Sequence, residues 1–114
     1  MNPGRGLDAL VAEKVMQVPY DLHSFKKWGA KAFLISDKND GYYMFGPPSP
    51  YSTDMGAAWE VAEKFDRVCV EKDTASGKWK AGGWIFDKFV SSHLVDTAPH
   101  AICLAALKAV GYQP

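Results

Sequence analysis

A proline-rich segment, GPPSPYSTD at residues 46–54, brings an aromatic ring and hydroxyl groups to the predicted start of a helix. Aromatic side chains stack on nucleic acid bases, and free backbone amides at a helix N-terminus bind phosphate groups. Tyr42, Tyr43 and Phe45 closely precede the segment. We therefore interpret residues 46–54, here named the lip, as part of a binding site for a small nucleotide-like ligand. The alternative, that most of these rings pack in the core, stays open.

Groups from elsewhere in the chain could complete this site. The second predicted hairpin offers a tryptophan and lysines that could reach the lip. His100 lies in the first turn of the last predicted helix, where the helix dipole disfavours a charged histidine, so a neutral ring could share a hydrogen bond with a ligand. A plain surface role is the alternative for His100. The candidate ligand-binding residues are Tyr42, Phe45, Tyr51, Ser52, Thr53, Asp54, Lys80, Trp84 and His100.

Motifs for metal binding or catalysis give a weaker signal. The three histidines are scattered and the two cysteines are far apart, so no set has the spacing of metal ligands. Nucleophilic catalysis needs a nucleophile, a base and an orienting group. Ser52, Cys69 or Cys103 could each meet a histidine only through tertiary folding. We predict that the protein holds no metal or cofactor and is not an enzyme.

The composition argues against several other classes of protein. Thirteen basic residues balance thirteen acidic ones, so we expect no binding of duplex nucleic acid, whose affinity depends on neutralising phosphates. No apolar run approaches the roughly 20 residues that cross a membrane. Cys69 and Cys103 lie among apolar residues, which predicts two reduced, packed thiols. We expect one globular domain over residues 1–114, located in the cytoplasm.

The first half of the chain predicts a helix, a hairpin and a second helix. Apolar residues from Leu7 to Val15 recur at helical spacing. AFLIS and YYMF, separated by the turn sequence DKNDG, predict a β-hairpin, and the aromatic stretch before it predicts an ordered excursion or a weak strand. The second helix follows the lip, with Ser52 or Thr53 as its N-cap and Asp54 in its first turn.

The second half predicts another hairpin and a last helix. RVCVEKD and WKAGGWIF form the hairpin, in which Gly82 and Gly83 indicate a bulge or the close approach of another group. The last helix has Thr97 as N-cap, Pro99 in its first turn and Gly111 at its end. Its body is apolar on nearly every side, so it lies deep in the fold or forms a subunit contact. We expect a homo-oligomer, most simply a dimer.

The order of these elements, α-β-β-α-β-β-α, predicts an α+β fold. An antiparallel sheet of about four strands would carry the two hairpins. The three helices would pack against this sheet.

Three segments give the chain a resemblance to a known family. LDALVAEKVM, YSTDMGAAWEVAEKF and TAPHAICLAALKAVG, in that order and over nearly the whole chain, resemble the small phage and prophage proteins of the phage ABA sandwich family. The resemblance implies a three-layer α/β/α sandwich and a viral origin, and most such proteins have no assigned activity. His100 stands where an acidic residue would complete a capping box.

These observations lead to three hypotheses for function. The first is a non-catalytic phage protein that binds and sequesters a small nucleotide-like host immune signal in the cytoplasm of the infected cell, and so acts against host defence. The alternative is a protein-interaction module that inhibits a host defence protein through the last helix or an exposed sheet edge. The third is a small nucleotide hydrolase.

Overall fold

Three helices occur in the described part of the chain: α1 at Arg5–Lys14, α2 at Met55–Ala62 and α3 at Ala98–Ala109. The computed structural model describes residues 1–21, 32–37, 43–85 and 87–112. The strands are β1 Tyr20–Asp21, β2 Ala32–Asp37, β3 Tyr43–Gly46, β4 Phe65–Asp73, β5 Lys78–Ile85 and β6 Lys88–Ser91. The fold is therefore α+β, as the sequence predicts. Within these described ranges, no helix is both long and apolar enough to cross a membrane.

The strands form two antiparallel sheets of three strands each, ordered β1-β2-β3 and β4-β5-β6. The described residues therefore do not form the single sheet of about four strands that the sequence predicts. Each predicted hairpin stays in its own sheet and gains a short third strand. β1 is the weak strand expected before the first hairpin. β6 runs back along β5, and Asp87 at the turn has a left-handed conformation with φ of 62°.

The last helix, α3, lies in the centre of the core. Every residue of this helix except Lys108 is buried, and α3 contacts α1, α2 and all three strands of the second sheet. Its ends are as predicted: the Thr97 hydroxyl accepts from the backbone N–H of His100, and Gly111 follows with φ of 85°. The apolar surface that suggested a subunit contact is covered within one chain, so the predicted dimer needs another interface.

The second sheet packs one face on the core and leaves the other exposed. The apolar residues of its inner face are Phe65, Val68, Val70, Trp79, Ala81, Ile85 and Val90. On the outer face, Trp84 and Phe89 are 46% and 67% exposed. The predicted three-layer sandwich is not confirmed, because in the described part of the chain helices cover only one face of this sheet.

Gly82 and Gly83 permit close pairing of the strands in the second sheet, as the sequence predicts. Gly83 has φ of 145°, and a Cβ atom there would lie 1.8 Å from the carbonyl oxygen of Arg67. At Gly82, a Cβ atom would lie 2.8 Å from the carbonyl oxygen of Val90. A register shift between Phe65 and Arg67 marks a β-bulge beside this contact.

The two cysteines differ in their surroundings. Cys103 is buried in α3 as predicted, whereas Cys69 is exposed on β4. The prediction of a packed thiol is wrong for Cys69 because side chains alternate along a strand. Val68 and Val70 take the inner face of β4, which leaves Cys69 on the outer face.

The buried thiol predicts a loss of stability at alkaline pH. Burial raises the pKa of the Cys103 thiol, and the negative charge of Asp8 adds to the effect. The protonated thiol is thus favoured in the folded state, and its contribution to stability is fully present below the ordinary thiol pKa of 9.0. Above that pH we expect the free energy of unfolding to fall by up to about 1.4 kcal/mol per pH unit through this group.

Urea denaturation between roughly pH 8 and pH 10.5 measures this slope. Cys103→Ala should make the slope shallower than in the parent chain. Cys69→Ser, at an exposed position where solvent screens the charge, should change it less. Identical slopes for the parent and Cys103→Ala would contradict the assignment.

Candidate functional site

The lip forms a turn that buries two of its residues and exposes the next two. The backbone N–H groups of Thr53 and Asp54 donate to the carbonyl oxygen of Pro50 at 3.2 and 2.9 Å. Tyr51 and Ser52 are buried, with Tyr51 only 4% exposed, whereas Thr53 and Asp54 are exposed. The chain therefore enters α2 later than the sequence predicts.

The N-cap of α2 is Asp54, and the prediction of Ser52 or Thr53 is wrong. Oδ2 of Asp54 accepts from the backbone N–H of Ala57 at 2.8 Å. The turn anchored on Pro50 uses residues 51–53, so the first residue free to cap the helix is Asp54. One of the helix N-terminal amides assigned to a phosphate is consequently occupied by a carboxylate.

The hydroxyl of Ser52 is also used within the protein. Its Oγ donates to Oδ1 of Asp8 at 2.6 Å, and its backbone N–H donates to the same oxygen at 2.7 Å. The backbone N–H of Gly4 donates to Ser52 Oγ at 2.8 Å. Asp8 is itself buried, so this cluster fixes the lip to α1 through charge-assisted hydrogen bonds.

Replacing Asp8 should therefore destabilise the fold. We expect Asp8→Ala to reduce the free energy of unfolding by about 2–3 kcal/mol, because it leaves the buried N–H of Ser52 without its acceptor. Asp66→Ala, which removes an exposed carboxylate, should change the free energy by less than about 0.5 kcal/mol. Urea denaturation compares the two variants, and equal stabilities would show that the cluster does not hold the lip.

A pocket of about 250 Å³ opens between the lip, α1, β2 and α2. Its described lining residues are Ala12, Val18, Phe33, Pro47, Pro48, Ser49, Tyr51 and Glu60. Most of these residues have apolar side chains, and the polar side chains are those of Ser49, Tyr51 and Glu60. We name this cavity the lip pocket.

The polar part of the lip pocket consists of two hydroxyl groups and one carboxylate. Burial raises the pKa of the Tyr51 phenol, a side-chain hydrogen bond with Ser49 lowers it in part, and the negative charge of Glu60 raises it further. The phenol is therefore protonated at neutral pH and can donate or accept. The ionised Glu60 carboxylate only accepts. The described lining includes no lysine or arginine, so it suits a neutral or amine-bearing ring better than a phosphate.

Two of the candidate residues lie on the second sheet and do not line the lip pocket. Lys80 and Trp84 are on the outer face of β5, and both are exposed. Nζ of Lys80 lies 3.7 Å from Oε2 of Glu71, and both residues border a polar groove of about 410 Å³ near the β4-β5 turn. None of the described lip-pocket residues comes from this sheet.

His100 has an internal partner. It is 8% exposed, and its Nε2 donates to the carbonyl oxygen of Met1 at 2.6 Å, so this nitrogen carries the proton. The histidine thus holds the start of the chain against α3, and neither the ligand role nor the surface role fits this contact. Among the described residues, no group of three or more His, Cys, Asp or Glu side chains is arranged to hold a metal ion.

Two further candidate residues, Tyr42 and Phe45, precede the lip in the sequence. Phe45 belongs to β3, which runs directly into the lip. Tyr42 lies outside the described residues. The predicted gathering of these rings at the site therefore stays a prediction.

Sequence reasoning missed four residues of the lip pocket: Ala12, Val18, Phe33 and Glu60. The sequence places Phe33 in a predicted strand and Glu60 in a predicted helix, but it assigns neither residue to the site. No spacing in the sequence connects them with the lip, because they meet it only through the packing of α1, β2 and α2.

Comparisons with known proteins agree with the resemblance. The sequence profile of the phage ABA sandwich domain matches residues 9–107. The chain is similar to a phage protein from Bacillus cereus ATCC 14579, whose crystal structure was solved at 2.0 Å, with 26% sequence identity and a TM-score of 0.71. The match covers 100% of this chain and 92% of that chain. A comparison with curated proteins finds no match.

Proposed function

Because this chain belongs to the phage ABA sandwich domain family, we propose that it is a phage protein that binds a small nucleotide-like host signal in the lip pocket and sequesters it without turnover. Its place of action is the cytoplasm of the infected cell, where removal of the signal would blunt an antiviral defence. The observation that supports this proposal is the lip pocket itself, a cavity lined by apolar side chains and by the polar groups of Ser49, Tyr51 and Glu60, at the segment in which the sequence placed the site.

The size of the pocket favours one ring system. Sites for whole drug-sized ligands have volumes of roughly 300–1,000 Å³, and the lip pocket is smaller, at about 250 Å³. A nucleobase would enter between the prolines of the lip and the apolar side chains of α1 and β2. The sugar and any phosphate would stay outside, towards solvent.

The polar groups favour a base with an exocyclic amine. The Glu60 carboxylate can accept a hydrogen bond from the amino group of adenine, guanine or cytosine, as acidic side chains do with cytosine in nucleic acids. The hypothesis that the lip also binds a phosphate group has less support. The Ser52 hydroxyl is held by Asp8 and Gly4, and the Asp54 carboxylate occupies the N–H of Ala57.

The proposal predicts that Glu60 determines which bases bind. A ligand that binds only the folded chain stabilises it by about 2.7 kcal/mol at a concentration of 100 times the dissociation constant, and so raises the melting temperature. In a thermal-shift panel of nucleotides, we expect those with amine-bearing bases to give the larger shifts. Glu60→Gln, whose amide can still accept but carries no charge, should weaken their binding about tenfold.

Glu63→Gln provides the matched control, since Glu63 is exposed at the end of the same helix and does not line the pocket. This variant should bind like the parent chain. If Glu60→Gln and Glu63→Gln weakened binding equally, general electrostatics rather than the lip pocket would account for the ligand preference.

The buried position of Tyr51 also changes how stacking must be tested. Tyr51 is 4% exposed, so Tyr51→Ala would open a cavity in the core and destabilise the chain, and a loss of binding could not be separated from a loss of folding. Tyr51→Phe keeps the ring and removes the hydroxyl. We expect it to retain the fold and to weaken binding only of ligands that use the phenol.

The other two hypotheses remain as outcomes of these experiments. A protein-interaction module can no longer use α3, whose apolar residues are buried, but the exposed aromatic residues of the second sheet give it a surface. Absence of any nucleotide-induced shift would favour that function. Recovery of a cleaved product from the complex would favour the hydrolase.

A further inference from the structure

The outer face of the second sheet has a regular arrangement of exposed groups. We define it by Arg67, Cys69, Glu71, Lys80, Gly82, Trp84, Phe89 and Ser91. All of these residues are exposed except Gly82, which is half-buried, and strand pairing places them in three rows across the sheet.

The three rows differ in chemistry. The first row pairs Arg67 with Trp84 and Trp84 with Phe89, whose rings meet edge to face with centroids 5.7 Å apart. The middle row has small side chains, as Cys69 pairs with Gly82 and Gly82 with Ser91. The third row contains the Glu71–Lys80 pair. Positive charge and aromatic rings thus lie at one end of the face, and a carboxylate and an ammonium group at the other.

We propose that this face binds the same face of a second copy of the chain. The two-fold axis would cross the strands over the middle row, so the first row of one copy faces the third row of the other. Arg67 then faces the partner's Glu71, and Trp84 faces the partner's Lys80, which gives an ion pair and a cation–π contact, each repeated by symmetry.

Several features favour a second copy over other occupants. Exposed aromatic residues and arginine are typical of protein interfaces, and the small middle row lets two sheets approach to the about 10 Å of face-to-face packing. A single-stranded nucleic acid could stack on Trp84 and Phe89, but it needs a positively charged groove. Here Glu71 neutralises part of the positive charge. The arrangement of charges is complementary to itself.

Charge-swap variants test the proposed pairing. Sedimentation velocity on the full-length chain over a concentration series should show a dimer. Arg67→Glu or Glu71→Arg should each raise its dissociation constant at least tenfold, because like charges then face each other across the interface. The double variant R67E/E71R should return to within about threefold of the parent. Lys64→Glu, exposed and outside this face, is the control and should dimerise normally.

Cross-linking at Cys69 tests the position of the axis. Cys69 is exposed in the middle row and Cys103 is buried, so a short bis-maleimide, which alkylates two thiols, should join two chains only through Cys69. Cys69→Ser should abolish the cross-linked dimer without changing the sedimentation result.

Two results of the sedimentation experiment would overturn the proposal: a monomer at high micromolar concentration, or a dimer that neither charge variant weakens. A third is tight binding of oligodeoxythymidine that quenches the fluorescence of Trp84 while the chain stays monomeric. None of these results depends on whether the lip pocket binds a nucleotide.

Discussion

Replacing Gly83 by alanine should reduce the free energy of unfolding by about 3–5 kcal/mol. The backbone at this position has φ of 145°, which L-residues rarely adopt, and the new Cβ atom would lie 1.8 Å from the carbonyl oxygen of Arg67. The contact is with backbone, so β4 and β5 must move apart in the middle of their ladder. Urea denaturation of Gly83→Ala against the parent chain measures the loss.

Gly6→Ala is the matched control for this substitution. Gly6 lies in α1, and a Cβ atom there would meet nothing within 4 Å. Alanine should stabilise the helix by roughly 0.5–1 kcal/mol. A loss below about 1 kcal/mol for Gly83→Ala would show that the strands do not approach each other as closely as described.

The second large effect is expected at the centre of the core. Leu104→Ala should reduce the free energy of unfolding by about 3–5 kcal/mol, because Leu104 is 1% exposed and its truncation leaves a cavity between α3 and its neighbours. Lys108→Ala, at the exposed position of the same helix one turn after Leu104, should cost less than about 1 kcal/mol.

Concentration dependence separates a core role from an interface role for Leu104. If α3 is covered within one chain, the effect of Leu104→Ala should be the same at low and high protein concentration. A loss of stability that appears only where the chain dimerises would place this helix at a subunit contact instead.

The last helix was the most predictable element because local chemistry marks both of its ends. For α3, a capping hydroxyl at Thr97, a proline in the first turn and a glycine after the last turn each act within a few residues. The division into two sheets was not predictable in this way. Strand pairing is decided by long-range packing, and β6 turns back at Asp87, which adopts positive φ without being glycine.

The sequence pointed to a segment that borders a pocket, but it did not indicate the contacts that the polar residues of this segment make. Prolines and tyrosine beside a helix start pointed to the lip, and the lip does border a pocket. A serine at such a position can cap a nearby helix or bond to a distant carboxylate. Here Ser52 bonds to Asp8, which is 44 positions away in the sequence, and sequence spacing alone carries no information about that contact.

The most direct test of the central claim is a crystal structure of the chain with the nucleotide that raises its melting temperature most. The account predicts an intact ligand with its base in the lip pocket, between the prolines of the lip and Phe33, and with the exocyclic amine of the base at Glu60. A base bound elsewhere, for example stacked on Trp84, or a cleaved product in the pocket would contradict it.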